Sequence, residues 1–283
     1  MLCELVKSAC RLEVLSPKPG NVCPGSEFDG ASVADFLTSA DIIAPILSSQ
    51  EIDSPGRAIY ESVRQTREVV GHNTNLGIIL LLAPLCRVPM QVCLADGLPD
   101  VLNKLTVADA RWTYRAIALA NPGGLGSADQ QDVRSEPDED LRSCMNLAAD
   151  RDFIARQYSN GFAEVLRFSR DWNHLPDEAD PGISQRVCGL ALTLMSEFGD
   201  SLIARKCGVE LSATVQRMAA DILQSGWPVT ERGITRYREF DAFLRADGHR
   251  RNPGTTADMV AAILFAGFRD HLHARTAAPD ADV

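Results

Sequence analysis

An all-α fold, a single compact multi-helix bundle with long polar loops at one end, is predicted by three features of this chain. Apolar residues recur at spacings of three and four almost throughout, no stretch alternates with period two among β-branched residues, and short polar corners separate the apolar segments. With 283 residues, 45% hydrophobic and 23% charged, the chain is long enough for one large core. Residues 1–283 are expected to form a single domain, with a core at about 2–272 and a disordered tail at 273–283.

The first helix is expected at 2–14, with Glu13 in its last turn, where a carboxylate opposes the helix dipole. It ends at Ser16-Pro17-Lys18-Pro19-Gly20-Asn21-Val22, where two prolines forbid helix and hold Lys18 between them in an extended turn. Lys18 is one of only four lysines among 28 basic residues, and a compact ammonium is not interchangeable with arginine at a phosphate. A helix at 32–47 follows, then one from the Ser54 cap and Pro55 to Val70. Gly71 to Gly77 forms a polar corner feeding the apolar run Leu76 to Cys86, which should be a central buried helix whose start can hold an anion or be capped by Asn73 or Thr74.

Helices at 92–104 and 106–120 lead to the glycine-rich segment 121–137. Such a length without periodicity marks a functional or mobile loop. If 132–136 is extended, Asp132, Arg134 and Glu136 point to one side, as a metal-phosphate site requires. A long helix is expected at 138–169, placing Asp152 on its apolar stripe about 20° from Leu141, with Arg156 four residues on as a candidate ion-pair partner. Pro176 to Pro181 mark a break. Helices at 183–198, 200–208, 211–222, 235–246 and 259–268 complete the chain, with Asp200 readable as a cap and Thr255 and Asp258 at capping-box spacing.

The composition limits function. A formal net charge of −10 without a basic block argues against a nucleic acid polymer as partner, while a small anion needs only a local cluster. Glu4, Lys7, Arg11 and Glu13 interrupt the first apolar segment, unlike a signal peptide, and the run from Leu76 is too short to span a bilayer and contains Pro84. A cytoplasmic protein with no membrane partner is expected. The eight cysteines and five histidines show no zinc spacing, so the thiols are expected to be reduced and largely buried.

Five polar corners, at 16–22, 71–77, 129–136, 200–208 and 252–258, each adjoin an apolar helix and could gather at one end of a bundle. Together they carry carboxylates, lysines, arginines and helix N-termini, the groups that hold a magnesium-polyphosphate. The corners alone equally suit a non-catalytic helical module that binds a nucleotide or a partner.

In order and content, Ser16 to Val22, Asn73-Thr74-x-x-Gly77, Arg134-x-Glu136, Asp200-x-x-Ile203-x-Arg205 and Pro253-Gly254-x-x-Ala257-Asp258 resemble the triphosphoribosyl-dephospho-coenzyme A synthase family across about residues 10–265. The resemblance implies an all-helical transferase that uses Mg2+ and ATP and displaces adenine with a hydroxyl of dephospho-CoA, giving a prosthetic-group precursor. Substitution at the anomeric carbon of a nucleotide would use the charged and polar residues of this chain as follows. Asp132, Glu136, Asp200 and Asp258 would hold metal; Lys18, Asn73, Asn75, Arg134, Arg205, Lys206 and Thr255 would hold nucleotide or phosphate; Glu13 or Asp152 would take the proton of the attacking hydroxyl. Three departures stand out: Asn75-Leu76 where the family has His-Lys, Asp29-Gly30-Ala31 where it has a longer His-containing stretch, and Lys206-Cys207 after Arg205 where it has glycines. A divergent member working in another cofactor pathway, such as pterin-linked one-carbon carrier synthesis, therefore stays open beside the synthase itself.

Overall fold

The computed structural model describes residues 1–28, 30–172 and 182–277. Among these the chain forms fourteen α-helices and one short 3-10 turn, with isolated bridges at Cys23–Ser26 and Phe28–Ala31 in place of any strand. Asp29 and Pro176 to Pro181, noted in the sequence, lie outside the described residues, as does His174 among the five histidines.

Two helices make the centre. Every residue of α4 (Leu76–Leu85) is buried, as its uniformly apolar sequence requires. In α14 (Gly254–Ala277) the run from Met259 to Ala266 is wholly shielded from solvent. Around them pack α1 (Leu2–Leu15), α2 (Val33–Ser48), α3 (Pro55–Val70) and α10 (Ile183–Phe198). Polar residues between apolar segments start two of these helices. Ser32 with Asp35 forms a reciprocal capping box at α2, and Ser54 caps α3 with Pro55 in its first turn.

The long helix expected at 138–169 is three: α7 (Leu141–Asn146), α8 (Phe153–Asn160) and α9 (Ala163–Ser169). Asp140 and Asp152 accept backbone N–H bonds at the starts of α7 and α8, and Gly161 ends α8 in the left-handed region at φ 74°. Short carboxylates that capture nearby N–H groups interrupt a helix even where apolar spacing continues. At the C-terminus the helix runs past the expected end of the core, to Ala277, with a His273 ring nitrogen 3.3 Å from the Met90 carbonyl; residues 278–283 are outside the described set.

The double-proline turn is held by α13 (Glu231–Arg245). Tyr237 donates its hydroxyl to the Pro17 carbonyl (2.6 Å), the Gly20 N–H donates to Asp241 (2.7 Å), and Arg245 donates to the Asn21 carbonyl (2.8 Å). Gly20 has φ +73°, and a Cβ there would lie 2.6 Å from Leu244 Cβ, so both conformation and space demand glycine.

Candidate active site

The ends of these helices surround one large cavity of about 1220 Å³. Its wall draws on all five sequence corners, and Glu13, Asn73, Asn75, Asp132, Asp152, Asp200, Arg205, Lys206, Thr255 and Asp258 all line it. Lys18, Arg134 and Glu136 do not.

Each exclusion has a physical cause. Lys18 is wholly buried in its turn, where the ammonium lies 2.9 Å from Glu13 Oε1 and also donates to the Glu13 and Ser16 carbonyls. An ammonium has three donors and these are all used, so Lys18 has none left for a phosphate. The segment 132–136 is a turn and not extended: the Ser135 N–H donates to the Asp132 carbonyl, and the Asp132 side chain accepts from the Arg134 backbone and guanidinium. That pairing holds the Asp132 carboxyl well below the usual carboxylate range. Glu136 turns outward to Arg111 (3.1 Å) and Arg115 (3.3 Å) and is largely exposed. The three residues therefore do not share a side, because local side-chain-to-backbone bonds replace the strand geometry.

Asp152 sits at the N-cap of α8 and not mid-helix. One oxygen accepts from the Ile154 and Ala155 N–H groups, and the other pairs with Arg205 at 2.9 Å. Arg156, its expected partner, pairs with Glu164 instead (2.8 Å). Asp200 caps α11 (Ser201–Cys207) through the Ile203 N–H (3.0 Å) and reaches across to α14, accepting from the Thr256 N–H and hydroxyl at 2.8 Å each. Burial outweighs these bonds and raises its pKa.

Asp258 lies in the second turn of α14 and makes no capping box, while Thr255 accepts from the Ser201 hydroxyl (3.0 Å). The Asp258 carboxyl meets the start of α4, where a Cβ on Gly77 would lie 2.0 Å from Asp258 Oδ2. Gly77 is therefore what lets an acid approach the central helix. Burial, then the charges of Glu13, Asp200 and Asp152, push the Asp258 carboxyl far above its ordinary pKa, opposed only in part by the Ile78 N–H. Asn73, and not the N-cap residue Asn75, accepts from the Leu76 N–H (3.1 Å). Leu76 is buried in the core.

Two of the cations expected from the sequence line the cavity beside these acids. Arg205 bridges Asp152 and the Gly123 carbonyl (3.2 Å), and Lys206 donates to Asn252 (3.0 Å). Burial and then Arg205 lower the Lys206 pKa. Gly123 and Gly124 bring the loop backbone against them: a Cβ would lie 3.0 Å from Lys206 Cε and 3.1 Å from Arg205 Cγ respectively. Sequence reasoning missed Tyr114, whose hydroxyl donates to the Gln131 carbonyl (2.6 Å), and Ser201, which links α8 to α14; neither stands in a patterned motif.

A solvent-open cavity ringed by acids and cations from distant corners defines a helical protein with a site suited to a charged small molecule. The chain belongs to the CitG family, ATP:dephospho-CoA triphosphoribosyl transferase, whose model matches residues 2–277. It is thus a transferase that moves a triphosphoribosyl group from ATP to dephospho-CoA. The fold is similar to the crystal structure of an Archaeoglobus fulgidus protein provisionally assigned as a triphosphoribosyl-dephospho-coA synthase, with TM-score 0.63 and 23% identity over 82% of this chain and 97% of that one. No curated protein sequence matches the chain. Among the described residues, no single helix is long and apolar enough to cross a membrane.

Proposed function

We propose that ATP and dephospho-CoA occupy the cavity together and react there by direct substitution at the anomeric carbon of ATP, with Mg2+ on the triphosphate. The observation that carries this reading is the size and lining of the cavity. At about 1220 Å³ it exceeds the range of roughly 300–1,000 Å³ that holds one drug-sized ligand, and acids and cations share its wall. Two nucleotides held side by side need no covalent enzyme intermediate, only orientation and charge compensation.

Arg205 and Lys206 would take the triphosphate, with Asn73, Asn75 and Thr255 supplying polar contacts at helix starts. Asp258, repelled by three neighbouring acids and paired with no cation among the described residues, fits a magnesium ligand, with Asp200 beside it. Among the described residues no three His, Cys, Asp or Glu side chains converge to hold an ion by themselves. That suits magnesium, which uses one or two protein carboxylates and completes its shell with phosphate oxygens and water. When bound it would neutralise the triphosphate. Glu13 would accept the proton of the attacking hydroxyl, and Asp152 would hold Arg205 in place. ATP supply suits a cytoplasmic location.

Chromatographic detection of free adenine tests this reading. Adenine should appear with ATP, Mg2+ and dephospho-CoA together, and release should stop when EDTA is added or the acceptor omitted. No adenine with dephospho-CoA would overturn it and favour a binding module; release with another acceptor alone would favour a divergent pathway.

A further inference from the structure

The substitution needs an acid as well as a base, because adenine leaves poorly as an anion. Among the described lining residues the cavity has a single imidazole, His249, in the loop before α14. Its ring stacks on Phe28, which also lines the cavity, with centroids 4.1 Å apart and planes 26° apart. A stacked imidazole keeps its plane, and its edge stays available for in-plane hydrogen bonds. Nδ1 is shielded from solvent without a hydrogen-bond partner, and the residue itself lines the cavity.

The backbone is set for that pose. Asp247, Gly248 and His249 are all left-handed, at φ +63°, +59° and +61°. Two non-glycine residues in that region cost energy that surrounding structure must over-determine. The Asn252 N–H donates to the His249 carbonyl (3.1 Å) and the Asn252 side chain accepts from Lys206 (3.0 Å), tying the imidazole loop to the proposed phosphate cation.

We propose that His249 is the catalytic acid that protonates the departing adenine, and that Phe28 is a positioning residue for its ring. This rests on the reaction assigned above. The C1′–N9 bond breaks with its electron pair moving to the base, while an imidazolium proton passes to a ring nitrogen of the purine. The acceptor oxygen bonds to C1′ and its proton passes to Glu13. Adenine leaves neutral; His249 then regains a proton from solvent and Glu13 returns one.

The test measures adenine release by wild type, His249→Gln and Phe28→Leu with ATP, 7-deaza-ATP and 3-deaza-ATP, after thermal melts confirm folding. In wild type, the analogue lacking the protonated nitrogen should be slower than ATP by about 10²-fold or more. His249→Gln should lower kcat with ATP by about 10²–10⁴-fold, leave KM for ATP within about threefold, and lose the discrimination against that analogue. Phe28→Leu should lower kcat by about tenfold with the discrimination reduced. A His249→Gln enzyme with near wild-type kcat, or a slow one that still discriminates fully, would overturn the assignment while leaving the family reaction intact. A wild type that releases no adenine would overturn both.

Discussion

The Lys18 ammonium lies 2.9 Å from the Glu13 carboxylate with both side chains buried, so the cation of the double-proline turn serves the acid of α1 and not a ligand. Lys18→Met should therefore act through Glu13. Leaving a buried charge without its partner typically costs about 3–5 kcal/mol. Thermal melts should show that loss, and kinetics below the melt should show a fall in kcat with KM for ATP changed less than about twofold. A rise in KM alone would return Lys18 to phosphate binding.

Arg205 and Asp152 are a second working pair, at 2.9 Å on the cavity wall. Arg205→Gln should raise KM for ATP by about tenfold or more, because the proposed phosphate cation is lost. Asp152→Asn should do less, because only the orientation of Arg205 is lost. A double-mutant cycle on KM should give a coupling of about 0.5–3 kcal/mol.

Asp258 should trade stability for function. Its folded pKa lies above the unfolded value, so its contribution to stability is fully present below the ordinary carboxylate pKa of about 3.9 and is lost as pH rises through the folded value. Asp258→Asn should therefore melt higher than wild type at neutral pH, with the difference shrinking as pH falls toward 4, while adenine release drops by at least about tenfold. Equal melting at pH 7 would remove the electrostatic argument.

Glu136 gives the opposite test. It is paired with Arg111 and Arg115 away from the cavity, so Glu136→Ala should leave kcat and KM within about twofold. Exposed pairs are typically worth no more than about 1 kcal/mol, and the melt should move little.

Asp200 holds α11 to α14 through Ile203 and Thr256. Asp200→Ala should cost about 2–3 kcal/mol in a denaturant titration, since it leaves charge-assisted bonds unmade. Asp200→Asn should cost less, and its remaining activity measures any role beyond that clamp.

Much of the helical layout was legible because apolar spacing and caps are local: Ser54-Pro55 starts α3 where it should, and the uniformly apolar α4 is buried throughout. Where local signals compete, the reading failed. Leu141 to Leu166 keeps helical spacing, yet Asp152 and Gly161 break it, since capture of an N–H group is invisible to a hydrophobic period.

From the sequence alone come the all-α class, the central apolar helices, the five polar corners and their family resemblance, all properties of spacing and order along the chain. Only the tertiary structure decided which corner residues face the cavity. Lys18 and Glu136 fit their motifs as well as Arg205 and Asp258 do, but burial against Glu13 and pairing with α6 (Val107–Ala120) turn them away. The physical reason is that a charged side chain goes to the partner that repays its desolvation, and partners from distant segments appear only once the helices have packed.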